Sequence, residues 1–271
     1  MKAIIPAAGF GTRFFPASKV VPKELLPVGP RPAIQWIVEE AVAAGAEEVV
    51  IVTSPGKPQL RAYFSVDAAW RTRLAGKPDA EAELDRLEKL SSKIVFAEQR
   101  EQRGLGHAVL QAAPYCRDAR EPVLILLGDA LVDGETPASV AMANLSRASG
   151  NASVVGLECV PEERVSRYGI VAGKARADDP RVYELTDLVE KPKREEAPSN
   201  LAVAGRYLLA PAIFERLASQ TPGKGGEIQL TDAIRRLLAF SPVLGYRYPG
   251  RRHDIGNPAG YLDCLQSFPV C

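Results

Sequence analysis

Residues 2–13 read Lys2-Ala3-Ile4-Ile5-Pro6-Ala7-Ala8-Gly9-Phe10-Gly11-Thr12-Arg13. A short apolar run passes directly into small residues and two glycines. The run reads as a buried strand over 2–7. The small residues let backbone approach a ligand closely, and turned N–H groups there can form an anion nest. In open α/β sheets, ligands sit off the carboxyl ends of strands, so Ala8, Gly9, Gly11 and Thr12 are expected to bind a nucleotide. A second apolar run, EVVIVT over 48–53, reads as another strand, and AIQWIVEEAVAA over 33–44 between the two has helical spacing. A strand–loop–helix–strand unit implies parallel strands with a right-handed crossover.

Further along, strands are expected over 93–97 and 122–127 and helices over 57–64, 106–113 and 136–148. A charged helical insertion is expected over 67–90. After Asn151 the chain becomes richer in extended segments, at 153–158, 169–172, 181–189, 201–209 and 243–248, and strand directions should mix. Helices are expected over 211–218, 229–240 and 258–265. The fold class is α/β: a Rossmann-like mixed, mostly parallel central sheet flanked by helices. No linker or repeat divides the chain, so 1–271 is read as one domain, with a nucleotide-binding half over about 1–150 and a substrate-binding half over about 151–271.

The chain of 271 residues carries a formal net charge of +1 with 46% hydrophobic residues. No global field favours nucleic acid. Cys116, Cys159, Cys264 and Cys271 form no CxxC, which argues against zinc and a disulfide scaffold and fits a cytoplasmic protein. No apolar run approaches a membrane span. The first 31 residues, however, hold Lys2, Arg13, Lys19, Lys23 and Arg31 against Glu24 alone. Placed beside glycines, that excess points to a small polyanion.

The loop is neither of the two common phosphate motifs. Phe14 stands where a dinucleotide fingerprint has its third glycine, and Thr53 and Ser54 end the second strand where that fingerprint has an acid. No Walker-type P-loop is present. Arg13 and Lys23 can reach the β and γ phosphates of a triphosphate, Arg as a bidentate donor and Lys as a compact charge. Asp129 follows the apolar strand through Gly128 alone, so its carboxylate lies at the carboxyl edge of the sheet, beside the expected phosphates.

The segment AAGFGTRFFPASKVVPKELLPV resembles the signature of the bacterial UTP–glucose-1-phosphate uridylyltransferases (UDP-glucose pyrophosphorylases), a branch of the sugar-1-phosphate nucleotidyltransferase family. GLGHA at 104–108, LGD at 127–129, VEKP at 189–192, SNLAVAGRY at 199–207, GEIQLTDAI at 226–234 and HDIGN at 253–257 extend the resemblance nearly end to end. It implies that UTP and α-D-glucose 1-phosphate yield UDP-glucose and pyrophosphate, with Mg²⁺ as cofactor. Thymidylyl transfer to make dTDP-glucose and a non-catalytic nucleotide-sugar sensor are the alternatives. Catalytic roles fall on Arg13, Lys23, Asp129 and Lys191, and metal binding on Asp129 and Asp254. Gly169, Glu190, Lys191 and Asn200 are assigned to the sugar phosphate, and Gly104 to the nucleotide.

Gln99 follows the third strand, and its amide matches the N3–H and O4 edge of uracil, although thymine shows the same edge. The reaction needs no general base, because a phosphate oxygen is already ionised at neutral pH. Alignment and charge neutralisation are what the site must supply. His107 is expected to pack or to bond near the phosphates, and His253 to orient Asp254. Two departures stand out. Gly29-Pro30-Arg31-Pro32 replaces the family's usual Asp-Lys-Pro. The chain also stops soon after the 258–265 helix, where relatives continue into a tail used in subunit contact, so the implied homo-oligomer, dimer or tetramer, is weakened.

Overall fold

The computed structural model describes residues 1–116 and 118–268, so Cys271 lies outside the described residues. A nine-stranded sheet runs through the molecule. Its order is Ile94–Glu98, Glu48–Thr53, Lys2–Pro6, Val123–Leu126, Leu201–Leu209, Ser153–Cys159, Val243–Arg247, Val182–Glu190 and Gly169–Ala175. The first four strands are mutually parallel. Leu201–Leu209 enters antiparallel to both of its neighbours, and Val182–Glu190 likewise reverses. By these pairings seven of the nine strands share one sense, as expected for a Rossmann-like mixed sheet. The sheet continues without a break from the first half of the chain into the second, because Tyr207 pairs with Ile125.

The pleat sends alternate residues to two cores. Ile5, Ile51 and Leu124 pack against the helices Ala33–Ala43 and Ala138–Ala148 on one face. Ile4, Val50 and Ile125 pack on the other face against Leu105–Gln111, Ile213–Ala218 and Leu230–Leu238. Burial on both faces is why these strands are continuous Val, Ile and Leu runs and not alternating ones. In Ala33–Ala43 the buried positions Ile34, Ile37, Val38 and Ala41 recur at helical spacing, and Gly45 follows with φ +99, the left-handed stop that only glycine adopts cheaply.

The helical insertion consists of two helices, Ala68–Leu74 and Pro78–Ser91. Gly76 at φ +79 and Pro78 at the first helical turn break it. Its Glu83 receives Arg31 through two N–H groups at 3.0 and 3.1 Å, so Arg31 anchors the insertion. Two short antiparallel strands, Ala130–Val132 and Arg252–Asp254, form a separate ribbon absent from the sequence expectation. Among the described residues no helix is long and apolar enough to cross a membrane.

Candidate active site

The first strand ends at Pro6, and the glycine loop turns over the sheet edge. Ala7 N–H donates to Val52 O at 2.8 Å, which fastens the start of the loop to the second strand. Gly9 is exposed, and nothing lies within 4 Å of where a Cβ would stand. Gly11 sits at φ +65, a left-handed conformation that starts the 3₁₀ turn Thr12–Phe14. Thr12 and Arg13 are exposed on that turn.

Ala8, Gly9, Lys23, Gln99, Gly104 and Asp129 line one pocket of about 360 Å³. Gln99 is 3% exposed. Its Nε2 lies 3.3 Å from Gly104 O and 2.9 Å from His107 Nδ1. In the His107 tautomer whose Nδ1 accepts, both amide hydrogens are engaged, and the carbonyl oxygen is then what Gln99 offers to a ligand, an acceptor for a ring N–H. His107 thus orients the glutamine, which its helix-start position in the sequence did not reveal. Gly104 is required twice over. Its φ is +98, and a Cβ would lie 2.7 Å from Glu227 Cβ, so the segment at 227–228 crosses directly over it.

The pocket meets a larger cleft of about 1190 Å³ that shares Leu127 and Asp129 with it and is lined by Arg13, Lys191 and Asp254. Arg164, Arg167, Arg251 and Arg252 also line it, so six cationic side chains face four carboxylates (Asp129, Glu158, Asp254 and Asp263). A net positive wall suits a polyanion. Arg252 is held by Glu158 at 2.6 Å and lies over the Tyr168 ring at 5.1 Å.

Lys23 begins the 3₁₀ turn Lys23–Leu25, and its ammonium forms an ion pair with Asp129 Oδ2. Burial opposes the charge of each partner. The attraction between them outweighs it, so Lys23 is held above and Asp129 below its ordinary range. Behind Lys23, the buried Glu24 receives Lys57 Nζ at 2.9 and 3.1 Å, and the same ammonium donates to Ala7 O at 2.8 Å. The glycine loop and the lysine turn are therefore tied to one cation.

Asp254 ends the ribbon strand Arg252–Asp254 and pairs with Ala130, the neighbour of Asp129. Ile255 N–H donates to Asp129 O at 3.0 Å. A Cβ on Gly256 would stand 2.8 Å from Asp129 Oδ2 and 3.0 Å from Asp254 Oδ1, so both carboxylates converge on one bare point. Among the described residues no third His, Cys, Asp or Glu joins them to make a cluster of three. Two hard carboxylates around a space left open by glycine fit a divalent cation of the Mg²⁺ type, which keeps waters and takes phosphate oxygens. His253 turns its Nε2 to Asp133 Oδ2 at 3.1 Å and packs on Phe268.

Glu190 closes the strand Val182–Glu190 opposite Gly169. Thr231 Oγ1 donates to Glu190 Oε2 at 2.6 Å, and Lys191 Nζ lies 3.3 Å from Glu190 Oε1. A Cβ on Gly169 would meet Thr231 Oγ1 at 3.1 Å and Glu190 Oε2 at 3.3 Å. Lys191 has φ +46, a rare conformation for a residue with a side chain, where the chain turns out of the strand and the lysine lines the large cleft. Asn200 is different. It is exposed and lines a depression with Glu162 and Arg194, and its carbonyl accepts from the N–H of Val160, a residue that lines the cleft of Lys191, at 3.0 Å.

Comparison with known proteins places this geometry. The nucleotidyl transferase family model matches residues 2–268. The UTP–glucose-1-phosphate uridylyltransferase of Staphylococcus haemolyticus is 44% identical over 266 residues, covering 96% of this chain and 89% of the relative. That of Bacillus subtilis is 42% identical over 271 residues, covering 99% and 91%. A crystal structure of UDP-glucose pyrophosphorylase complexed with UDP-glucose superposes with a TM-score of 0.86 at 37% identity, covering 98% of this chain and 97% of that one.

Proposed function

The chain belongs to the nucleotidyl transferase family, and from that premise we propose that it is a UTP–glucose-1-phosphate uridylyltransferase. One observation supports this above the others. A pocket with an amide carbonyl for a pyrimidine edge opens into a cationic cleft through Asp129, where a lysine and a second carboxylate meet.

The nucleotide-binding half, about 1–150, takes UTP. The backbone at Ala8 and Gly9 and the Gln99 carbonyl face the base and ribose, while Gly11, Thr12, Arg13 and Lys23 receive the phosphates. Glucose 1-phosphate lies in the half from about 151. Glu190 accepts hydrogen bonds from sugar hydroxyls beside Gly169, and Lys191 holds the phosphate. An oxygen of the sugar phosphate attacks the α-phosphorus of UTP. A new P–O bond forms, the bond to the β-phosphate oxygen breaks, and pyrophosphate leaves. No proton must move, because the nucleophile is already an anion. Lys23, Arg13 and Lys191 lower the repulsion between two polyanions and hold them in line. When bound, Mg²⁺ held by Asp129 and Asp254 would neutralise charge on the phosphates.

Pyrophosphate release with UTP, dTTP, CTP, ATP and GTP, each paired with glucose 1-phosphate, tests the assignment. UTP should be used best; a clear preference for dTTP would reassign the base.

A further inference from the structure

The strand Leu201–Leu209 is buried along its whole length, and Arg206 sits within it fully out of solvent. A charge is tolerated there only when fully paired. Glu40, on the helix Ala33–Ala43, accepts from Arg206 Nε at 3.0 and 3.1 Å and from Nη2 at 2.7 Å. Glu40 is itself fixed, because it also accepts from Ser139 N–H and Oγ at 3.3 and 2.6 Å. The same Nη2 of Arg206 donates to Ala130 O at 2.8 Å. Ala130 directly follows Asp129 and is the ribbon partner of Asp254. One residue before Arg206, Gly205 O accepts from Leu127 N–H at 3.0 Å. Residues 205 and 206 therefore grip the turn 127–130 at both ends.

We propose that the Arg206–Glu40 pair is a positioning device for the two-carboxylate cradle, holding the 127–130 turn so that Asp129 and Asp254 converge over Gly256. This rests on the divalent-ion site proposed above. Neither residue touches substrate or ion. Stability alone does not call for the pair, since apolar replacements of buried ion pairs often keep a fold intact. What an apolar pair lacks is a donor for Ala130 O, aimed by a planar guanidinium that Glu40 orients. Lysine carries the charge without that fork.

The test compares the parent protein with Arg206→Lys, the double variant Arg206→Met/Glu40→Leu, and Asp129→Asn. Mn²⁺ binding is followed by electron paramagnetic resonance on protein saturated with UDP-glucose, and thermal midpoints are recorded alongside. The double variant should keep a cooperative transition, at a lowered midpoint because Ala130 O and the two Ser139 donors lose their partners, and bind Mn²⁺ about tenfold more weakly, the scale seen for groups that orient metal ligands. Arg206→Lys should fall between the two, and it carries the test alone if the double variant does not fold. UDP-glucose affinity without Mn²⁺ should be unchanged. Parental Mn²⁺ affinity in Arg206→Lys and the double variant, with Asp129→Asn impaired, would reduce the pair to a structural role. Parental affinity in Asp129→Asn itself would remove the metal cradle, and the proposal with it.

Discussion

The ammonium of Lys23 is paired with Asp129 Oδ2, the same oxygen that faces the bare Cα of Gly256. A divalent ion held at that bare point, as proposed, would share this carboxylate with the lysine. Removing that carboxylate's charge should strip Lys23 of its partner and the ion of a ligand together. Asp129→Asn is expected to lower kcat by at least about a hundredfold, because it removes a direct ligand where orienting groups alone are worth roughly 10–100-fold. Steady-state turnover at saturating substrates checks this, with circular dichroism to show an intact fold.

Gly256→Ala places a methyl group where both carboxylate oxygens point, 2.8 and 3.0 Å away. The carboxylates must part to accommodate it. The metal concentration for half-maximal activity should rise about tenfold, with little change in KM for either substrate. A Mg²⁺ titration of initial rates reads this, and an unchanged half-saturation would mean that the cradle is not where the ion sits.

Lys191 is half-exposed, so Lys191→Ala should leave stability within about 0.5 kcal/mol. Loss of a charged contact to the sugar phosphate is worth about 1.5–3 kcal/mol. That corresponds to a fall of roughly 10–100-fold in kcat/KM for glucose 1-phosphate, with KM for UTP nearly unchanged. An effect confined to UTP would misplace the lysine.

Gln99→Leu removes the acceptor in the proposed nucleotide pocket and leaves Gly104 O and His107 Nδ1 without their amide partner. A KM for UTP raised about tenfold and a stability loss of about 1 kcal/mol are expected. Discrimination between UTP and CTP should shrink, measured as the ratio of their kcat/KM values.

Burial pushes the Cys116 and Cys264 thiols up to about 11, while Cys159 is exposed. The thiolate is the reactive form, and a pKa raised to that value leaves about one thiolate in a thousand at pH 8. Reactivity of these two should grow only as pH climbs toward 11. In a Cys271→Ser background, a disulfide dye at pH 8 should titrate one thiol rapidly, and three only after denaturation.

The long elements were legible because one physical cause dominated each. Glu48–Thr53 and Leu201–Leu209 appear at the residues expected, since apolar runs of strand length, the second interrupted only by Gly205 and Arg206, have few other uses. The ribbon Ala130–Val132 with Arg252–Asp254 was not legible. Three residues per strand give no periodicity, and the pairing joins segments far apart in sequence. Yet that ribbon is what sets Asp254 beside Asp129. Arg206 did carry a signal, a lone arginine inside a nine-residue strand buried throughout, but its partner Glu40 lies on a helix 166 positions away. Lys57 was hidden for the same reason, being named by Glu24 and Ala7 O only once the chain is folded.

The most direct measurement is the formation of UDP-glucose and pyrophosphate from UTP, glucose 1-phosphate and Mg²⁺ by the parent protein and by Asp129→Asn, in parallel. The expected result is equal amounts of both products from the parent, abolished by chelation, and almost none from the variant. Equal turnover by the two proteins, or no product from the parent, would contradict a site in which Asp129 joins the nucleotide pocket to the cationic cleft.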